Sequence, residues 1–102
     1  MKKVIHKHAE CLPEGTVTYV QMSKYTNGRP AIQLFGGQGP EAMATCNLPD
    51  TKVPDGHVLI KDWSENKGIM EDLIDNGVIG PPVGVVPTGF CLAKLCPLRF
   101  EN

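Results

Sequence analysis

The sequence has little net charge and no long hydrophobic run. Its 102 residues include 10 lysines and arginines and 11 aspartates and glutamates, for a net charge of −1. Proteins that bind nucleic acid in general need a basic face, so this balance argues against direct nucleic-acid binding. No apolar run approaches the roughly 20 residues of a membrane-spanning helix. The N-terminus lacks the apolar segment of a secretory signal, so we expect a cytoplasmic protein without membrane contact.

Metal-site and disulfide patterns are also lacking. A cytoplasmic protein keeps its thiols reduced, and Cys91 and Cys96 are five positions apart, which places them on opposite faces of a regular strand. His6, His8 and Cys11 are zinc-ligand types, but their spacing is irregular and no Cys-x-x-Cys pair completes a site. We therefore predict no metal, no cofactor and no disulfide. The four cysteines are Cys11, Cys46, Cys91 and Cys96.

One stretch, from about residue 64 to residue 76, has the pattern of an amphipathic helix. Its apolar side chains recur at the three-and-four spacing of one helical face. That face is Ile69, Met70, Leu73 and Ile74, and the opposite face is Asn66, Lys67, Glu71, Asp72 and Asp75. Asp62 and Glu65 have the spacing of a capping box, with Ser64 as the competing N-cap. Asn76-Gly77 is a typical helix end.

The remaining apolar segments predict short strands joined by tight turns. Asn27-Gly28 and Gly36–Pro40 are the turn signals. The predicted strands are Thr16–Tyr25, Ala31–Phe35, Ala42–Leu48, Val58–Ile60, Val83–Val86 and Phe90–Leu95. We expect one α+β domain over residues 1–102: a mostly antiparallel sheet of about five to six strands with the helix on one face. Residues 1–14 form either an edge strand or a flexible basic tail.

No catalytic motif stands out among the polar residues. Asp62 and Glu65 could perform acid–base chemistry, since paired carboxylates do so. Gly36–Gly39 resembles a phosphate loop, but Pro40 and a strand follow it instead of a helix. The predicted helix and its cap together carry a charge of −4. Such carboxylates can mimic nucleic-acid phosphates, or they can form an ordinary solvated face that favours the helix dipole.

The segment His57–Gly68 resembles a motif found in small bacterial proteins of unknown function that are common in phages and mobile elements. Those proteins carry an I-K-D-aromatic-S-E-N-x-G segment that opens a helix, followed by a strand with Gly-Phe or Gly-Tyr. Asn47–Pro49, Pro87–Phe90 and Cys96–Leu98 extend the resemblance over about residues 29–98. The resemblance implies a compact α+β domain. It also implies a mobile-element setting, in which small proteins often inhibit host defence.

Three functions are compatible with these patterns. The leading hypothesis is a non-enzymatic inhibitor of a larger host protein, whose basic nucleic-acid-binding groove would accept the acidic helix headed by Trp63. Its predicted binding residues are Trp63, Glu65, Asn66, Glu71, Asp72 and Asp75. The second hypothesis is a homodimer that holds a nucleotide-like signal between its Gly-rich loops and the helix N-terminus. The third is a small hydrolase or nuclease that uses Asp62 and Glu65. A monomer and a homodimer both remain open for the leading hypothesis.

Overall fold

The computed structural model describes residues 2–100, in which seven strands and one α-helix form an α+β fold. The predicted fold class is confirmed. Met1, Glu101 and Asn102 belong to the predicted domain but lie outside the described residues. The strands are β1 Lys2–Ile5, β2 Val17–Lys24, β3 Pro30–Gly36, β4 Gly39–Met43, β5 His57–Ile60, β6 Gly84–Pro87 and β7 Leu92–Pro97, and the helix is α1 Ile69–Asp75.

The strands form two antiparallel sheets, so the prediction of one sheet of five to six strands is wrong. Strands β1-β2-β3-β4 make the first sheet and β5-β7-β6 the second, with β7 central. The segment from Ala44 to Cys46 joins them. Ala44 N–H donates to Ile32 O of β3, whereas Cys46 N–H donates to Leu59 O of β5 at 3.0 Å. The predicted strand 42–48 therefore passes from one sheet to the other instead of extending the first.

Strand β1 forms the edge of the first sheet, which is one of the two alternatives for residues 1–14. It pairs antiparallel with β2, and Val4 lies opposite Thr18. Alternation along this strand buries Val4 and leaves Ile5 exposed on the outer face. The N-terminal segment is thus part of the packed structure from Lys2 onward.

The core lies between the two sheets and the helix. Ile69 and Leu73 of α1 are buried, and Met70 and Ile74 pack against the core from partly exposed positions. This is the face that the three-and-four spacing predicts. The sheet residues that contribute to the same core are Val4, Val20, Ile32, Leu34, Val58, Ile60 and Cys96.

The helix is shorter than the predicted span of about 64–76. Ser64–Asn66 form a separate 3₁₀ turn, and α1 begins after Gly68, whose φ is +92°. Asp62 Oδ1 accepts the N–H groups of Gly68 at 3.0 Å and Met70 at 3.1 Å, so it caps α1 from six residues before Gly68. A Cβ at Gly68 would lie 2.0 Å from the carbonyl oxygen of His8. The chain therefore needs glycine there, and that residue interrupts the helix.

Replacing Leu73 by alanine tests the packing of α1. Leu73 is fully buried, so Leu73→Ala should lower the free energy of unfolding by about 2–5 kcal/mol, measured by urea denaturation. Glu71→Ala on the exposed side of the same helix is the control and should change it by less than about 0.5 kcal/mol. A loss of less than about 1 kcal/mol at Leu73 would contradict the observed helix orientation.

Candidate functional site

The carboxylate of Asp72 is buried and collects four hydrogen bonds from the residues that follow β1. Oδ1 accepts the backbone N–H groups of Lys7 at 2.8 Å and His8 at 2.7 Å. Oδ2 accepts the backbone N–H of Ala9 at 3.0 Å and lies 2.8 Å from Nδ1 of His6. We call these four residues, 6 to 9, the N-terminal strap. Asp72 holds the strap against the helix.

His6 extends this network to strand β2. Its Nε2 lies 2.7 Å from Thr18 Oγ1, so the Thr18 hydroxyl, the His6 imidazole and the Asp72 carboxylate form one chain of hydrogen bonds. The order matches that of a nucleophile, its base and the group that orients the base. All three side chains are buried, with Thr18 at 0% exposure. A reacting group must reach the hydroxyl for catalysis, so we assign this network a structural role.

The surroundings of Asp72 determine its ionisation. Burial by itself raises the pKa of Asp72, but the N–H groups of Lys7 and His8, the His6 ring and the N–H of Ala9 lower it further, so the net pKa lies below its ordinary value. A folded-state pKa below the unfolded one stabilises the fold at pH values above the unfolded pKa. That stabilisation is lost as the pH falls through the folded pKa.

Two of the predicted binding residues are buried, so their assignment to the solvent-facing side of the helix is wrong. Asp72 and Asn66 are each 1% exposed. Asp72 faces the N-terminal strap, whereas Asn66 donates its Nδ2–H to the carbonyl of Met43 at 2.7 Å. The predicted face assumed one continuous helix, and the interruption at Gly68 changes the direction of Asn66. His6 lies within residues 1–14 and is 1% exposed, so the alternative of a flexible basic tail is wrong at this residue.

Trp63 and Glu65 lie at the surface just before α1. Trp63 is half-buried, and Glu65 is exposed and contacts Lys61 Nζ at 3.0 Å. A backbone hydrogen bond within Glu65, together with the hydrogen bond and charge of Lys61, holds the pKa of Glu65 below its ordinary value. This end of the predicted acidic surface therefore carries a cation beside its carboxylate.

The exposed carboxylates of α1 flank a histidine from the N-terminal strap. His8 Nε2 lies 2.9 Å from Asp75 Oδ2, and His8 Nδ1 lies 3.4 Å from Glu71 Oε2. Nearby, Lys67 Nζ lies 3.5 Å from Glu10 Oε2. His8 and Lys67 thus lie among the acidic side chains of this surface. The surface is therefore less uniformly negative than the sequence of the helix suggested.

A second surface, which the sequence reasoning missed, is the turn end of the hairpin of β6 and β7, residues 83–92. We call it the apolar hairpin. Its exposed large side chains are Val83, Val85, Phe90 and Leu92. Phe90 is 107% exposed, which means that it contacts almost nothing in the folded chain. A sequence signal was available, because no charged residue occurs between Asp75 and Lys94.

A cleft of about 270 Å³ lies between the β2–β3 turn and the loop before β5. Arg29 borders it and donates from Nη1 to Leu48 O at 2.7 Å and from Nη2 to Thr51 O. The guanidinium therefore holds that loop in place. His57 lies at the other side of the cleft, with Nδ1 3.0 Å from the carbonyl oxygen of Asp55.

Comparison of the chain with protein-family models, with curated protein sequences and with solved structures gave no match. The resemblance of the segment His57–Gly68 therefore stays a prediction. Among residues 2–100, no group of three or more His, Cys, Asp or Glu side chains is arranged to hold a metal ion. Within the same residues, no helix has the length and apolar character needed to cross a membrane.

The ionisation of Asp72 gives a pH-dependent test of the N-terminal strap. Asp72→Asn should lower the free energy of unfolding at neutral pH by about 3–5 kcal/mol, because it removes the buried negative charge from its donors. The difference between wild type and variant should shrink as the pH falls below about 3.9, where Asp72 of the unfolded chain takes up a proton, and should be smallest below the lowered pKa of the folded state. Asp75→Asn is the exposed control. A difference that stays constant with pH would contradict the lowered pKa.

The thiols should differ in reactivity according to burial. Burial, followed by the charge of Asp62, raises the pKa of Cys96 to about 11, whereas Cys11 is exposed. Because the thiolate is the reactive form, an alkylating reagent at neutral pH should label Cys11 first and Cys96 only after denaturation. Mass spectrometry of the labelled peptides measures the order. Equal labelling rates in the folded protein would show that Cys96 is accessible.

Proposed function

We propose that the protein is a non-enzymatic binding module that docks on a larger protein. The observation that supports this most strongly is the exposure of four large apolar side chains on the apolar hairpin, with Phe90 fully exposed. Clusters of this kind on a small folded domain are typical of protein–protein contact sites. Burial of a Phe side chain stabilises a complex by roughly 1.5–3 kcal/mol, so Phe90 is a suitable anchor.

The polar groups of the molecule support a binding role over catalysis. The hydroxyl, imidazole and carboxylate of Thr18, His6 and Asp72 are buried. The two carboxylates of the hydrolase hypothesis already have partners within the chain. Asp62 accepts hydrogen bonds from two backbone N–H groups at the start of α1, and Glu65 contacts Lys61. A carboxylate that caps a helix is poorly placed to exchange protons with a substrate. The hydrolase hypothesis therefore ranks behind binding.

The helix surface is a second candidate contact area. Its exposed carboxylates are Glu65, Glu71 and Asp75, and the half-buried Trp63 precedes Glu65 by two residues. We propose that a basic partner would bind these exposed groups. Asn66 and Asp72 are no longer included, because both are buried. The resemblance of residues 57–68 supports the finer proposal that the partner is a host protein and that this chain inhibits it.

A ligand-sequestering homodimer is the alternative that the cleft favours. The cleft beside Arg29 is large enough for a small ligand, although it is distant in sequence from the Gly36–Gly39 loop that the hypothesis invoked. Much of the guanidinium is already bound to loop carbonyls. Native mass spectrometry of the purified protein with added nucleotides tests this alternative. A monomer that binds none of them would exclude it.

Variants on the two surfaces test the proposed function. The tagged protein is used to capture partners from a bacterial lysate, with Phe90→Ala for the apolar hairpin and Trp63→Ala for the helix surface. Val17→Ala is the matched control, because Val17 is exposed on a different strand, β2. We expect a partner that the control retains and that Phe90→Ala loses, with thermal midpoints unchanged. Capture of no partner by the wild-type protein would contradict the proposal.

A further inference from the structure

The backbone of the apolar hairpin is closed to further strand pairing along most of its free edge. β6 is an edge strand, since the order in its sheet is β5-β7-β6. The N–H of Thr88 donates to Cys91 O at 2.8 Å, and Val86 lies opposite Ala93 in the same register. Hydrogen-bonded pairs alternate along an antiparallel ladder. The bonds to β7 therefore fall at the even-numbered residues of β6.

The outward edge then has one backbone donor. Val85 is the odd-numbered residue of β6 with an N–H, because Pro87 has none. Before the strand, Pro81 and Pro82 also lack N–H groups, and the N–H of Val83 already donates to Leu95 O at 2.7 Å. Strand addition requires a series of donors and acceptors along an exposed edge. This edge offers too few.

The side chains of the apolar hairpin, in contrast, form an insertable apolar wedge. Cross-strand pairs place Val85 opposite Lys94 and Pro87 opposite Leu92, so these four share one face. Phe90 lies beyond them in the turn. Gly89 precedes it with φ +82°, a conformation that fixes the turn and that few residues other than glycine adopt.

The charges near the apolar hairpin define the chemistry of its partner. The sequence contains no carboxylate between Asp75 and Glu101, and Lys94 makes no ion pair among residues 2–100. The carboxylate that acts on β7 from outside this interval is Asp62, whose charge raises the pKa of Cys96. Lys94 lies beside Val85 on the wedge face. A complementary surface is therefore apolar where it meets Phe90 and negative at its rim.

Two other occupants fit this charge pattern less well. A second copy of the same face would set another lysine against Lys94. An anionic membrane would attract cations near its surface, but the interval has only two cations and the whole chain has a net charge of −1. A pocket on another protein fits best.

We infer that the apolar hairpin binds by inserting Phe90 into an apolar pocket of a larger protein, with carboxylates of that protein facing Lys94, and not by extending the sheet at β6. This inference rests on the proposed function and names the partner chemistry and the binding mode.

The experiment measures the affinity of the partner captured from the lysate by isothermal titration. Phe90→Ala should weaken binding by about tenfold or more, the loss expected for a buried aromatic anchor. Phe90→Trp should retain more of the affinity than alanine does. Lys94→Glu should also weaken binding, and by more than Lys94→Gln, with the difference decreasing at high salt because exposed charges are screened.

Val85→Pro separates side-chain insertion from strand addition, because it removes the remaining outward N–H. Val85→Ala is its matched control, and thermal midpoints confirm that both variants fold. Insertion predicts similar affinities for the two variants. If Val85→Pro abolishes binding whereas Val85→Ala still binds, the inference is overturned in favour of strand addition.

The outcomes distinguish this inference from the proposed function. If the wild-type protein captures no partner, the proposed function and the inference both fail. If a partner is captured and its affinity is indifferent to Phe90→Ala and Lys94→Glu, the inference fails alone. Vesicles of phosphatidylcholine and phosphatidylglycerol form the membrane arm. Sedimentation of wild-type protein with these vesicles, lost in Phe90→Ala, would overturn the protein pocket in favour of a lipid surface.

Discussion

The buried carboxylate of Asp72 is the interaction on which the N-terminal strap and its attachment to α1 depend. An ionised group removed from water costs several kcal/mol unless hydrogen bonds replace its hydration. Asp72 obtains them from three consecutive amides and the ring of His6. The strap must therefore lie against α1, and β1 must enter the sheet at the register that brings His6 to Thr18. One carboxylate thus fixes both a loop and an edge strand.

The same constraint explains the shape of the helix start. The strap passes so close to Gly68 that no side chain fits there, and the N–H of Glu10 donates to Lys67 O at 2.9 Å on its way. The backbone at Gly68 then has a positive φ, which no helix interior allows. Asp62 restores the lost first-turn bonds by accepting two amides. Two aspartates on either side of the glycine therefore stabilise a helix of only seven residues.

Local patterns predicted the parts of the fold that depend on neighbours in sequence. The Asn27-Gly28 hairpin, the buried strand at Val58 and the inward face around Leu73 follow from turn chemistry and periodicity. The pairing of His6 with Asp72 does not follow from such patterns, because the two residues are 66 positions apart. The spacing of Asp72 in the helix also gives no sign of whether its side chain is buried or solvated. The exposure of Phe90 was missed for a related reason. The predicted strand Phe90–Leu95 implied burial, whereas β7 begins at Leu92 and Phe90 lies in the turn before it.

The distribution of carboxylates decides where a binding surface can lie. Asp62 and Asp72 serve the fold, whereas Glu71 and Asp75 flank His8. The residues that made the helix conspicuous in the sequence are therefore largely explained by folding and local pairing. Phe90 has no such explanation: it contributes nothing to the core, yet a glycine turn and the Thr88–Cys91 hydrogen bond hold its backbone in one place. Because the backbone of this exposed aromatic residue is already ordered, less backbone conformational entropy is lost when a partner covers it.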